Sequence, residues 1–229
     1  MNPKIVLLEG VNKSGKTYLT NQFRKKYKDK IRIIKFPHDR TNINQIIFLY
    51  KEIQKMVVAH PNQITRYLGI IHQIFDLDFR QFEAAQKSII ESLRPDITIF
   101  LDRYYPSNLV YAIMHGIKPN PMWDEGHYFK PDIAIQLTIT GEEDRKKYMK
   151  EFPVFDNTVT VEYDTGVSNE IQLLTPHQLL FDGQAFYADI LREEVAKGKI
   201  GKYERVTALR EETFALTEKI LIENGFLTG

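Results

Sequence analysis

Residues 10–17 run Gly-Val-Asn-Lys-Ser-Gly-Lys-Thr and fit the pattern GxxxxGK[ST], a glycine loop whose backbone N–H groups cradle the phosphates of a nucleoside triphosphate. The pattern carries weight only between a strand and a helix, and the flanking residues predict both. Ile5-Val6-Leu7-Leu8 is short, apolar and partly β-branched, as a buried strand requires, while Tyr18 to Phe23 continues with helical character. The two glycines allow φ above zero, so the amides can approach phosphate oxygens, and the helix N-terminus adds partial positive charge. Gly10, Asn12, Lys13, Ser14, Gly15, Lys16 and Thr17 are therefore candidate ATP-binding residues. Lys16 is expected at the β and γ phosphates, and the Thr17 hydroxyl on Mg²⁺.

The rest of the chain repeats the alternation. Strands are predicted over 4–8, 32–35, 98–101, 133–138 and 203–206, and helices over 16–27, 43–59, 65–91, 107–115, 142–150, 176–197 and 210–224. Strands separated by helices argue an α/β fold with a parallel sheet covered on both faces, whose ligands gather beyond the strands' carboxyl ends. Residues 151–175 lose all periodicity, as expected of a functional lid or a disordered segment. The 229 residues suffice for one core and form a single expected domain, 1–229.

Composition removes other classes of function. A formal net charge of +1 offers no footprint for a nucleic acid polymer or a membrane surface, so the expected partners are small. The chain has no cysteine, which excludes disulfides, thiolate zinc sites and cysteine nucleophiles. The six histidines are scattered without an HxxxH or HxH pair and are expected to be structural or surface groups. No apolar run approaches the roughly 20 residues of a membrane helix, and residue 1 leads into the first strand without a signal-like leader. A soluble, cytoplasmic protein is expected.

Chemistry-bearing residues follow the strands. Asp102-Arg103-Tyr104 closes the third strand, where an acid can hold Mg²⁺ and the arginine fork matches phosphate oxygens. Alone, the pair could be a local ion pair; beside a phosphate loop in the same sheet, the functional reading is preferred. After the second strand, Arg40 in Phe36-Pro37-His38-Asp39-Arg40 is either a second phosphate clamp or an exposed loop arginine. Ser107 and Tyr111 lie one helical turn apart and can face one cleft, though Tyr111 equally suits a core. The stripe Tyr67, Ile71, Phe75, Phe82 and Ile89 marks a core-facing helix.

Together these pieces resemble the thymidylate kinases, a family of P-loop nucleoside monophosphate kinases, from about residue 3 to residue 138. The likeness is carried by Glu9-Gly10 opening the loop, by Phe36-Pro37 with Arg40, by Phe75 on a long helix, by Asp102-Arg103-Tyr104 with Ser107, and by Lys130-Pro131-Asp132 entering the fourth strand. The resemblance implies a three-layer P-loop kinase fold: a five-stranded parallel sheet flanked by helices, with a lid at about 145–175. It implies transfer of the γ-phosphate of ATP, with Mg²⁺, to a deoxypyrimidine 5′-monophosphate, dTMP first, giving dTDP for deoxynucleotide biosynthesis. Lys13, Lys16 and Arg103 become the catalytic residues, and Asn12, Phe36, Arg40, Phe75, Arg80, Arg103, Ser107 and Tyr111 the acceptor-binding set. Phe75 stacks on the base, Tyr111 excludes a ribose 2′-hydroxyl, Thr17 and Asp102 serve the metal, and Arg145 touches ATP unless it belongs to a solvated basic face with Lys146 and Lys147. The resemblance also implies a homodimer through the long helices.

With Lys13 in the loop and no arginine between Tyr148 and Leu191, the chain resembles the branch whose phosphate loop carries the basic residue, found in eukaryotic and some viral members. Three departures stand out. Asn12 replaces the usual aspartate, Arg40 is displaced by one position, and Arg80 arrives one residue late, a rotation of about 100° on a helix. With a lid segment that matches no aligned pattern, these features fit a virus-encoded enzyme. They keep dUMP or a modified pyrimidine monophosphate open as acceptor. A deoxynucleoside kinase and an ATP-sensing binding protein are the more distant alternatives.

Overall fold

A computed structural model describes residues 3–11, 14–59, 64–119, 126, 129–140, 142–143, 146, 160–161, 171–172, 176–207 and 210–228. In chain order the elements are β1 (Lys4–Glu9), α1 (Lys16–Tyr27), β2 (Ile31–Lys35), α2 (Arg40–Ala59), α3 (Ile64–Glu91), β3 (Thr98–Asp102), α4 (Tyr105–Met114), β4 (Ile133–Thr138), β5 (Thr160–Val161), β6 (Ile171–Gln172), α5 (Pro176–Ala196), β7 (Tyr203–Thr207) and α6 (Arg210–Glu223). Five strands form one parallel sheet in the order β2-β3-β1-β4-β7. This is the α/β architecture expected, with each predicted sheet strand in place.

The strands are apolar on both sides because helices cover both sides. Leu7, Ile99, Leu101 and Ala134 face one way and pack with Phe79 and Phe82 of α3, Leu109 of α4 and Leu191 of α5. Their neighbours Val6, Leu8, Phe100, Ile133 and Ile135 face the other way, against Leu19 and Phe23 of α1 and Leu221 of α6. All of these side chains are buried, and each one larger than Ala134 is worth roughly 1.5–3 kcal/mol in water-excluded surface. A smaller cluster, Ile46, Ile53, Ile64, Leu68 and Ile71, joins α2 to α3.

The start of α2 and the segment after residue 150 differ from expectation for identifiable reasons. Helix α2 starts at Arg40 rather than residue 43, because Asp39 Oδ1 accepts the N–H groups of Thr41 (2.8 Å) and Asn42 (3.1 Å) and so caps the first turn. Inside the segment that lacked periodicity, Thr160–Val161 pairs antiparallel with Ile171–Gln172, a ladder too short to leave a sequence pattern. Of the helix predicted over 142–150, residues 142, 143 and 146 are described, and they are helical.

β1 lies between β3 and β4, in register Leu8 to Asp102 and Glu9 to Gln136. Here the connections pass from one side of the sheet to the other. The crevice beyond such strand ends is where open α/β sheets bind ligands.

Candidate active site

The donor half begins where β1 ends. Gly10 has φ 138°, and a Cβ there would lie 2.5 Å from the Leu137 carbonyl oxygen and 2.8 Å from Ser14 Oγ. Only glycine fits. Gly15, at φ 97°, is the N-cap of α1; no side chain caps the helix and no acid occupies its first turn. Among the described residues no side chain caps the leading N–H groups of α1, as at a helix start that receives an anion, and a Cβ on Gly15 would meet nothing described within 4 Å.

Lys16 is buried across the loop, its Nζ donating to the carbonyls of Gly10 (2.8 Å) and Val11 (2.9 Å) and to Ser14 Oγ (3.3 Å). Burial, and then the neighbouring Arg103 charge, hold its pKa well below the usual lysine range. Thr17 is exposed on the first turn of α1. Asn12 and Lys13, inside the loop, and Arg145 lie outside the described residues.

The second half of the site begins one strand away. Asp102 is buried at the end of β3, and Arg103 follows with φ 71°, a left-handed backbone that costs a non-glycine residue about 1–3 kcal/mol. Its N–H donates to the Leu8 carbonyl (3.0 Å), tying the turn to β1. The guanidinium Nη1 donates to Ser107 Oγ (3.1 Å) and to the Tyr187 hydroxyl (2.8 Å), and Cζ lies 5.6 Å from the centroid of the Tyr111 ring. Tyr104 is extended and Pro106 sits in the first turn of α4, so the helix opens immediately behind this arginine.

Glu9 connects the halves. Fully buried, it accepts the Tyr104 N–H at Oε1 (3.1 Å) and the Ser107 hydroxyl at Oε2 (2.6 Å). Burial raises its pKa to about 7, against the opposing pull of Arg103, Ser107 and Lys16. The sequence had marked Glu9 only as the opening of the glycine loop, although an acid closing an apolar strand is the same signal that singled out Asp102. Tyr187 left no signal, being one aromatic among many on a helix remote in sequence.

The remaining expected residues are placed as follows. Phe36 is 2% exposed, its ring against Phe79, Phe82 and Tyr104 at 5.1–5.6 Å, so it anchors the loop after β2 from within the core. That loop is held by Asp78 of α3, whose carboxylate accepts the N–H groups of His38 (2.5 Å) and Asp39 (2.7 Å) and the Asn42 amide (3.0 Å). Arg40 is exposed at the start of α2. Phe75 is half-buried between the α2–α3 cluster and the sheet core. One turn on, Phe79 faces the core at 1% exposure, and Arg80 lies on the adjoining face, paired with Asp76 at 2.8 Å. The one-residue shift therefore puts Arg80 on a different face from Phe79.

Among the described residues, no three His, Cys, Asp or Glu side chains form a metal cluster, and no helix is long and apolar enough to cross a membrane. His72, buried between α3 and α4, contacts Asn108 Oδ1 (2.6 Å) and His115 Nδ1 (3.1 Å), an internal structural pair.

A sequence model of thymidylate kinases matches residues 8–164, which include the glycine loop, Asp102-Arg103 and Ser107. The chain belongs to the thymidylate kinase family. A thymidylate kinase from Dictyostelium discoideum is 29% identical over 147 residues, 62% of this chain and 61% of that protein, so the match spans under two thirds of the relative. The solved thymidylate kinase of Candida albicans matches with a TM-score of 0.54 at 16% identity, covering 98% of this chain and 93% of that one. At that identity the likeness speaks to the fold. As a thymidylate kinase family member, the chain keeps its glycine loop and Asp-Arg-Tyr turn at the same end of the sheet.

Proposed function

We propose that this protein transfers the γ-phosphate of ATP to the 5′-phosphate of a deoxypyrimidine monophosphate, dTMP first, yielding dTDP and ADP. The observation that carries this reading is the Glu9 carboxylate, which joins the glycine loop bearing Lys16 to the turn bearing Arg103. Two cations are thereby fixed at neighbouring strand ends. One suits the donor's phosphates and the other the acceptor's.

An oxygen of the acceptor phosphate attacks the γ-phosphorus, and the bond to the oxygen bridging the β and γ phosphates breaks with its electrons leaving on ADP. The attacking oxygen is already anionic, so no general base is required, and positioning with charge stabilisation supplies the catalysis. Lys16 and Lys13 neutralise the moving phosphoryl group. Arg103, and Arg40 from the start of α2, hold the acceptor in line. Thr17 and Asp102 would hold Mg²⁺, which would supply charge stabilisation to the transferring phosphoryl group. Phe75 stacks on the base, and Tyr111, against the Arg103 guanidinium, crowds the sugar where a 2′-hydroxyl would sit. Asn12 reads the sugar without the negative charge of an aspartate, and Arg145 meets ATP.

The Arg80–Asp76 pair favours a second acceptor reading, because an arginine neutralised on its own helix is poorly placed to reward the thymine O4. dUMP or a 5-modified pyrimidine monophosphate would then be used as well. Exposed Ile47 and Phe48 on α2 and Leu77 on α3 support a homodimer through these helices, which light scattering tests. We place the enzyme in the cytoplasm.

The deciding experiment incubates ATP and Mg²⁺ with dTMP, dUMP, 5-hydroxymethyl-dUMP, dCMP, dGMP, dAMP, UMP and thymidine, and separates the products. Diphosphate from dTMP is expected, with little from UMP. Monophosphate from thymidine alone would make the protein a nucleoside kinase, and no product from any acceptor would leave it an ATP sensor.

A further inference from the structure

Tyr187 lies on α5, far in sequence from every motif of the site, yet its hydroxyl is among the nearest groups to the Arg103 guanidinium. The hydrogen positions around it follow from counting. A serine hydroxyl has one proton, and with Glu9 ionised that proton goes to Glu9 Oε2. The 2.9 Å contact between Ser107 Oγ and the Tyr187 hydroxyl must then use the tyrosine proton. Both lone pairs of Ser107 Oγ are filled, by Tyr187 and by one hydrogen of Arg103 Nη1. Arg103 Nη1 also donates to the Tyr187 oxygen, 2.8 Å away. Two hydrogen bonds from one nitrogen onto two fixed oxygens leave the guanidinium plane little freedom.

The tyrosine is itself well held. Its ring is fully buried with Val11, Val110 and Met114. One turn earlier, a Cβ on Gly183 would lie 3.0 Å from Val11 Cγ1 and 3.2 Å from Met114 Cε, so α5 packs closely against the phosphate loop here. The adjacent Gln184 accepts the Ile139 N–H at 2.6 Å, locking the helix to the end of β4.

We propose that Tyr187 is a positioning residue for the phosphoryl-transfer site, its hydroxyl fixing with Ser107 the orientation in which Arg103 meets the acceptor phosphate. The inference rests on the reading of Arg103 as the acceptor's clamp. Tyr187 acts through Arg103 and does not touch the reacting atoms.

The test uses Tyr187→Phe, which keeps the ring and removes the hydroxyl. KM for dTMP is expected to rise about 10-fold, as for loss of a hydrogen bond to a charged group, with KM for ATP and the melting temperature near wild type. In an Arg103→Lys background, where the planar fork is gone, the same change is expected to cost under about 2-fold. In the free protein, the Arg103 guanidinium NMR signals, assigned by their loss in Arg103→Lys, should show faster rotation in Tyr187→Phe. An unchanged KM for dTMP, or equal rises in both KM values with a fallen melting temperature, would overturn the proposal. If the wild-type protein phosphorylates no monophosphate, the functional reading fails and the NMR comparison alone decides: unaltered Arg103 rotation removes the positioning role.

Discussion

The Ser107 hydroxyl donates to Glu9 Oε2 at 2.6 Å, so the residue preceding Gly10 and the first turn of α4 behind Arg103 share one carboxylate. Any displacement of the phosphate loop is therefore felt by the residues that hold Arg103, and the reverse. Such a carboxylate is costly to bury charged, and its titration has measurable consequences.

Glu9 ionises near 7 in the folded chain because burial outweighs its cationic neighbours, against an ordinary value of 4.5. The folded state holds this proton more tightly than the unfolded state. Its stabilising contribution is complete below about 4.5 and is lost as pH rises towards about 7, a change on the order of 3 kcal/mol. Glu9→Gln should remove this dependence, seen as a flatter profile of melting temperature over that window. An identical profile in both proteins would rule out Glu9 as its source.

The His72–His115 pair should act with the opposite sign. Burial lowers His72 to about 4, and burial with the neighbouring His72 lowers His115 to about 3, from 6.5. The unfolded chain binds these protons first, so stability is lost as pH falls below about 6.5. In His115→Asn, denaturant midpoints should decline less between pH 6.5 and 4 than in the wild type.

Gly10→Ala forces a Cβ against the Leu137 carbonyl at 2.5 Å and a side chain onto φ 138°. The fold should survive with a lower melting temperature, destabilised by about 1–3 kcal/mol. KM for ATP should rise about 10-fold or more as the loop amides move off the phosphates. Calorimetric ATP titration beside thermal unfolding separates the two effects.

Lys13→Ala should lower kcat by roughly 10²-fold with saturating ATP and acceptor, by comparison with the loss of a basic finger in phosphoryl transfer. Single-turnover kinetics would show the loss in the chemical step. An unchanged kcat removes Lys13 from the mechanism.

The sheet was legible because its determinants are local. Apolar runs such as Ile5 to Leu8 and Ile99 to Leu101 announce strands buried on both faces, and the glycine spacing announces the turn between β1 and α1. The start of α2 was less so, since the Asp39 cap lies in a loop fixed by Asp78 from a helix 39 residues away. Phe79 was legible as part of the core-facing stripe, but the environment of Arg80 was not, because only packing shows it paired with Asp76. Tyr187 could not be found at all. Its role is created by a contact across 84 residues of sequence, and nothing in α5 distinguishes it from its neighbours.

Arg103 occupies a backbone angle, φ 71°, that glycine or asparagine would adopt with less strain. Screening a library at this codon for heat resistance alone would therefore enrich those small residues and discard the charge. Selection for turnover would restore arginine. On the proposed reading of Arg103, robustness and catalysis pull the sequence in opposite directions at this position.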